Sequence, residues 1–238
     1  MIISIVIPVT GFIIGAILGS WAACTGCRLP RKIPLWGRSR CMSCGQPLSF
    51  LDLVPILGYF FVHGHCRYCD SKISASYLVP EITLAFVSML LFMKIGPTTQ
   101  FLVYMVLLTG LAVASVSDLE TFLIPDAIIM ALAIPVIPFI FWTGDVTLWN
   151  SVTGGILGFT SMILPGLLIN RFPGGGDIKL VAMIGIYLGA YSTAIAFTIG
   201  VIICLCIKRF NLKDYEGIPL APYLFMGVSL LLLMNTWV

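Results

Sequence analysis

Two short stretches of this chain place carboxylates where carboxylates are costly. Gly174-Gly175-Gly176-Asp177-Ile178-Lys179 lies between two long apolar runs. Asp118-Leu119-Glu120-Thr121-Phe122-Leu123-Ile124-Pro125-Asp126 follows another. An acid at the edge of a membrane segment is expensive to bury, which marks it as a functional candidate. Two carboxylates that meet in a partly dry site share a proton, so that one serves as base and the other as acid. Taken singly, each Asp reads more readily as a solvated helix-boundary residue; it is the pairing of the two patterns that favours chemistry. The glycines ahead of Asp177 let the backbone take conformations closed to other residues, or come close to a ligand or another helix.

A second chemistry sits nearer the N-terminus. Cys41-Met42-Ser43-Cys44 and Cys66-Arg67-Tyr68-Cys69 are two Cys-x-x-Cys pairs with 21 residues between them. Pairs at that separation fit a tetrahedral four-thiolate zinc site, closed to substrate and therefore structural. The rival is a structural disulfide, which a reducing compartment disfavours. His63 and His65 flank the second pair, but four cysteines already fill the shell. Cys24 and Cys27 have the spacing without a partner pair and abut an apolar run. Cys204 and Cys206 read as buried thiols.

The elements that must position these groups are membrane helices. Of 238 residues 59% are hydrophobic and 10% charged, against roughly 25% charged in soluble domains. An all-α polytopic membrane protein follows. A removable signal peptide is not expected, because residues 1–27 carry no charge and a basic n-region is missing. The first span, about 2–23, repeats Gly11, Gly15 and Gly19 every four residues, a face suited to close helix packing. The polar segment after it holds Arg28, Arg31, Lys32, Arg38, Arg40, Arg67 and Lys72 against Asp52 and Asp70, which predicts a cytoplasmic loop.

Further spans are expected at about 77–93, 100–117, 126–142, 150–170 and 218–238. Pro135 and Pro138 should kink or break the fourth. The charge-free run 180–207 is long for one span and short for two. Two helices turning near Gly189 would return Lys208, Arg209 and Lys213 to the cytoplasm, as the positive-inside rule requires. The total is about eight spans, with Asp118 and Asp177 on one face by parity and Asp145 in an outer turn. No internal repeat is visible. The expected organisation is a first helix over 1–24, a zinc-bearing cytoplasmic loop domain over 25–76 and a membrane core over 77–238.

Taken in order, these motifs resemble the type IV prepilin peptidases (prepilin leader peptidase/N-methyltransferases), and the resemblance covers nearly the whole chain. It rests on the two cysteine pairs around Leu48-Ser49-Phe50-Leu51-Asp52-Leu53-Val54-Pro55, on Asp118 to Asp126, and on Gly174-Gly175-Gly176-Asp177 with Lys179. It implies a membrane aspartic endopeptidase of the bacterial inner membrane with its active site facing the cytoplasm. Its substrates would be prepilins or pseudopilins, cut after a glycine to remove a short basic leader. Catalysis would fall to Asp118 and Asp177, supported by Gly174, Gly176 and Lys179. N-methylation of the new terminus with S-adenosylmethionine is also implied, with Glu81 matching a family glutamate linked to that step. Beside that stands the reading of Glu81 as an acid favoured by the helix dipole. Gly19-Ser20-Trp21-Ala22-Ala23 departs from the family's Gly-Ser-Phe-x-Asn, with Trp21 for Phe and Ala23 for Asn. The expected partners are the pilin substrate and the lipid bilayer, with no nucleic acid.

Two other classes remain open at this level. A proton-coupled transporter would use Asp118, Asp177 and Glu81 as relay acids near the midplane. A zinc-stapled assembly subunit would have no activity.

Overall fold

A bilayer offers no water to a backbone, so every N–H and C=O must be satisfied inside its own segment, and helices result. The computed structural model describes residues 2–143, 146–169, 173–210 and 218–235. Asp145, Arg171 and Lys213 lie outside the described residues. Among those described there is no strand, only helices: α1 Ile2–Arg28, α2 Leu57–Phe61, α3 Leu78–Ile95, α4 Thr99–Thr121, α5 Asp126–Thr143, α6 Leu148–Ile169, α7 Gly175–Phe210 and α8 Ala221–Asn235. Four are long and apolar enough to cross a membrane, over Ile5–Arg28, Ala75–Ile95, Thr99–Thr121 and Gly175–Ile207. Shorter apolar helices cover Asp126–Phe139, Leu148–Leu164 and Ala221–Met234.

The helices bury one apolar face and expose another. Leu84, Leu91, Leu107, Leu111, Leu180 and Leu224 are fully buried, while Ile13, Ile17, Leu102 and Ile134 point outward. An outer surface this apolar would be a liability in water and suits lipid. Small residues set the helix spacing. Gly15 lies on the Leu84 backbone, and a Cβ at Gly19 would sit 2.5 Å from the Glu81 Cα, so the four-residue glycine face is the seam between α1 and α3. Gly154 and Gly185 make the equivalent contact between α6 and α7.

α7 is two helices joined at a break. Gly189 has φ 77° and ψ 173°, outside helical values and open in practice only to glycine. The stretch 175–188 runs against α6, where Gly158 meets Val181 and Gly154 meets Gly185 and Gly189. The stretch 190–210 runs against α8, where Gly200 meets Tyr223 and Gly227 meets Ala196. Asp177, opening the first stretch, and Ala221, opening α8, both lie at Asp118, so those two segments leave the same end of the bundle; the second stretch is antiparallel to α8, and the chain therefore reverses at the break. The turn expected near Gly189 is at that residue, and Asn150 Oδ1 accepts from Ala190 N–H at 3.2 Å beside it.

α5 continues through Pro135 and Pro138 instead of ending there. A neighbour compensates for the disturbed ladder, because Tyr187 hydroxyl donates to the Leu132 carbonyl at 2.6 Å. Tyr187 also stacks on Phe139 at 6.3 Å.

Candidate active site and metal centre

Asp118 lies in the last turn of α4 and is only 5% exposed. The helix ends when Phe122 takes φ 54°, with its N–H still bonded to the Asp118 carbonyl. The Ser117 hydroxyl donates to the Leu123 carbonyl at 2.5 Å and holds the reversed chain. The reversal carries Ile124 onto Gly176, where a Cβ would fall 2.8 Å from the Ile124 Cβ. None of Gly174, Gly175 and Gly176 has a left-handed φ, so close approach, not unusual conformation, is what glycine supplies at 176.

That contact seats Asp177 in the first turn of α7, beside the end of α4. Its carboxylate lies over the Gly174 backbone and within electrostatic reach of Asp118. Asp118 Oδ2 accepts from the Ala221 N–H at 3.0 Å, at the first residue of α8. Asp177 Oδ1 is buried with no hydrogen-bond partner among the described residues. Lys179 reaches Asp126 at 2.6 Å, and both side chains are exposed. The lysine therefore ties the two aspartate motifs together at the surface. The two carboxylates meet at helix ends, and the opening of α8 completes their surroundings. Ala221 acts through a backbone amide, for which residue type carries no signal.

A second cluster occupies the other side of the α4 terminus. Glu120, in the last turn of α4, is paired with Arg31 at 2.9 Å, its side chain only 18% exposed. It also accepts from the Ser76 hydroxyl at 3.1 Å. Arg31 contacts the Cys27 sulfur at 3.0 Å, and Cys27 meets the Tyr77 hydroxyl at 3.3 Å. Cys27 thus packs between Arg31 and Tyr77. Glu81, in the first turn of α3, accepts from the Ile56 N–H at 2.6 Å and faces Ser20 of α1. It joins the cysteine-bearing segment to the helix bundle.

The segment between α1 and α3 is built on two matching turns. Cys41 N–H donates to the Gln46 carbonyl and Gly45 N–H to Cys41; Cys66 N–H donates to Ser71 and Asp70 N–H to Cys66. The flanking bridges Arg40–Pro47 and His65–Lys72 repeat with the same offset. Gly45 and Asp70 both have positive φ. This is a local repeat that residue identity hid, since only the cysteines recur. The turns bring the sulfurs of Cys41, Cys44, Cys66 and Cys69 within 4.8 Å of one another, with Cys41 and Cys69 at 3.9 Å. Tetrahedral zinc with bonds of about 2.3 Å needs sulfurs roughly 3.8 Å apart, so the group could hold a metal ion. Backbone N–H groups, that of Cys44 foremost, hold the Cys41 thiol down at about 6. The Gln46 amide works the opposite way at Cys44, but burial and the neighbouring sulfurs push that thiol up to about 11. Four sulfurs this close need a cation before all can be thiolates. His65 Nδ1 turns to the His63 carbonyl at 2.9 Å, and neither histidine joins the cluster.

Asp52 supports the loop from below. Its burial works against ionisation, but the Ser49 N–H and hydroxyl and the Arg67 guanidinium at 2.9 Å hold its carboxyl below the usual range. A cavity of about 430 Å³ lies between this segment and the ends of α1, α3 and α4, with Asp52, Glu81 and Glu120 in its walls.

Residues 13–95 match the model of the bacterial peptidase A24 N-terminal domain, and residues 105–208 match that of the type IV leader peptidase family. The prepilin leader peptidase/N-methyltransferase of Bacillus subtilis (strain 168) is 30% identical over 226 residues, which cover 91% of this chain and 90% of that protein. The protein of the same name from Vibrio cholerae serotype O1 is 29% identical over 232 residues, covering 90% and 92%. The type 4 prepilin-like proteins leader peptide-processing enzyme of Escherichia coli O78:H11 is 28% identical over 208 residues, covering 80% and 73%. No solved structure matches the chain.

Proposed function

Because this chain belongs to the type IV leader peptidase family, we propose that it is a membrane-embedded aspartic endopeptidase. It removes the basic leader of prepilins or pseudopilins after a glycine and then N-methylates the new terminus. The observation that carries the peptidase reading is the meeting of Asp118 and Asp177. Segments far apart in sequence deliver two carboxylates to one end of the bundle, within electrostatic reach of each other.

A peptide bond needs an activated water and a group to polarise its carbonyl. One ionised and one protonated Asp supply both, and as a coupled pair they titrate as a unit. Asp118 is oriented by the Ala221 amide, while Asp177 Oδ1 is buried with no hydrogen-bond partner among the described residues, so its bonding capacity is left for a water or the substrate carbonyl. Gly176 and Gly174 allow the close seating of Asp177. Lys179 supports the site indirectly, by pinning the first turn of α7 to that of α5 through Asp126. The transporter alternative places relay acids at the midplane, and both aspartates stand instead in terminal turns of their helices.

The chain crosses the bacterial inner membrane about eight times, counting both legs of α7, and the active site faces the cytoplasm with the basic cysteine segment. Zinc held by Cys41, Cys44, Cys66 and Cys69 would be structural, fixing a segment too small to build a core. S-adenosylmethionine would supply an electrophilic methyl group, and Glu81 is the carboxylate we assign to that step.

The deciding experiment mixes purified protein in detergent with a prepilin carrying a Gly-Phe junction. Mass spectrometry of the product terminus should show cleavage after Gly, and an added methyl when S-adenosylmethionine is present. Failure of the folded protein to cut any of several prepilins overturns the reading.

A further inference from the structure

Residues 53–62 carry no charge, although they belong to the basic segment between α1 and α3. Nor do they bury their apolar side chains. α2 packs Gly58 onto the Asp52 backbone and leaves Leu57, Phe60 and Phe61 exposed. Spaced i, i+3 and i+4, these three share one face of the helix. Phe50, Leu51 and Leu53, in the turn before it, are exposed as well, Phe50 by 83%. Large apolar side chains this dense on a short stretch mark a surface that is covered by something other than water.

The contacts of the segment fix its depth. The candidate span that contains α3 is Ala75–Ile95, 21 residues. At about 1.5 Å per residue it is about 31 Å long, close to the hydrocarbon thickness of a bilayer. Tyr77 therefore stands at one edge, and Cys27, 3.3 Å from its hydroxyl, brings the end of α1 to the same edge. Glu81 is one helical turn further in, and its carboxylate accepts from the Ile56 N–H at 2.6 Å. The chain thus folds back below the edge where it has lost its charges. Gly19 of α1 packs on Glu81 at this level, and Trp21 and Val79 are exposed within a turn of it. The patch therefore continues the lipid-facing surface of α1 and α3.

The charges lie at the edge itself. Arg28 donates to the carbonyls of Pro34, Leu35 and Arg38, which gathers Lys32, Trp36 and Arg38 round the end of α1. Lys32 and Arg38 are exposed and in no ion pair among the described residues. Cations and an aromatic ring at the edge, with apolar side chains one turn deeper, match the order of anionic headgroups and acyl chains in a bilayer.

We propose that residues 50–61 are an interfacial membrane anchor. Phe50, Leu57, Phe60 and Phe61 enter the boundary between headgroups and acyl chains, and Lys32 and Arg38 meet anionic headgroups above them. The anchor rests on the membrane placement of α1 and α3 proposed above and on neither enzymatic activity. Held by lipid as well as by the Glu81 bond, the cysteine segment cannot swing away from the helix ends.

The test puts the photoreactive residue p-benzoylphenylalanine at position 50 and, in a second protein, at position 60. Both side chains are exposed, so neither substitution disturbs a packed core. The full chain, zinc-loaded, is placed in nanodiscs of phosphatidylcholine and phosphatidylglycerol and irradiated. Both positions should become joined to phospholipid, with the new bond on acyl carbons by fragmentation mass spectrometry. Discs of phosphatidylcholine alone should lower the yield, and Lys32→Gln with Arg38→Gln should remove that difference. Adducts on headgroup carbons alone, adducts to a second copy of the chain or to added prepilin in place of lipid, or no adduct at either position overturn the anchor. A yield indifferent to phosphatidylglycerol overturns the headgroup contact. Prepilin cleavage in the same discs keeps the two readings apart. Lipid labelling without cleavage supports the anchor and counts against the peptidase; cleavage without lipid labelling overturns the anchor alone.

Discussion

Gly176 lies directly against Ile124, with room for no side chain between them: a Cβ there would fall 2.8 Å from the Ile124 Cβ. This contact joins the turn after Asp118 to the turn that carries Asp177. Gly176→Val should destabilise the protein by about 1–3 kcal/mol through overpacking and reduce cleavage as Asp177 is displaced. Gly175→Ala is the control, since a Cβ there meets nothing within 4 Å. Thermal melts in detergent and cleavage rates on both variants check the contrast.

Asp118→Asn and Asp177→Asn should each lower prepilin cleavage by about 10²–10⁴-fold while leaving the helical fold intact by circular dichroism. If either variant cuts at the wild-type rate, that residue has no part in the chemistry.

The Lys179–Asp126 pair is exposed on both sides. Lys179→Ala and Asp126→Ala should each cost no more than about 1 kcal/mol. A double-mutant cycle should give a coupling in the same range and one that shrinks at high salt. A coupling of several kcal/mol would show that the pair is shielded from solvent.

At Gly189 the backbone has φ 77°, and a Cβ would fall 2.6 Å from Asn150 Nδ2. Gly189→Ala should lower stability by about 1–3 kcal/mol. Asn150→Ala, which removes one hydrogen bond to Ala190, should cost about 1 kcal/mol. Denaturation midpoints distinguish the two.

Metal analysis should find one zinc ion per chain, lost after treatment with a strong chelator at neutral pH. Without it the 25–76 segment should become far more sensitive to protease than the membrane helices, because metal binding and folding are one event in such small units. Cys41→Ser should behave like the stripped protein. Equal protease resistance with and without metal would mean that the Ser49–Asp52–Arg67 contacts and the Glu81 tether suffice.

Much of this protein was legible from its residues taken locally. Apolar runs specify helices because a bilayer leaves the backbone no other solution. The spacing of Gly11, Gly15 and Gly19 marked the α1–α3 seam, and Gly189 marked the reversal in α7, because glycine is informative wherever a side chain cannot fit. The four cysteines identified their cluster because sulfur chemistry needs those residues at that spacing. The tertiary structure decided what depends on one segment meeting another. No local pattern says that the Ala221 amide reaches Asp118 across 103 residues, since every residue but proline has that amide. Nor does one say that Glu120 turns inward to Arg31, or that Glu81 is held by the Ile56 amide where Asp52 and Glu120 are held by arginines. Side-chain chemistry and hydropathy are properties of single residues and short windows. The partner of a charge, and the cavity that a set of helix ends leaves between them, exist only once distant parts of the chain have packed.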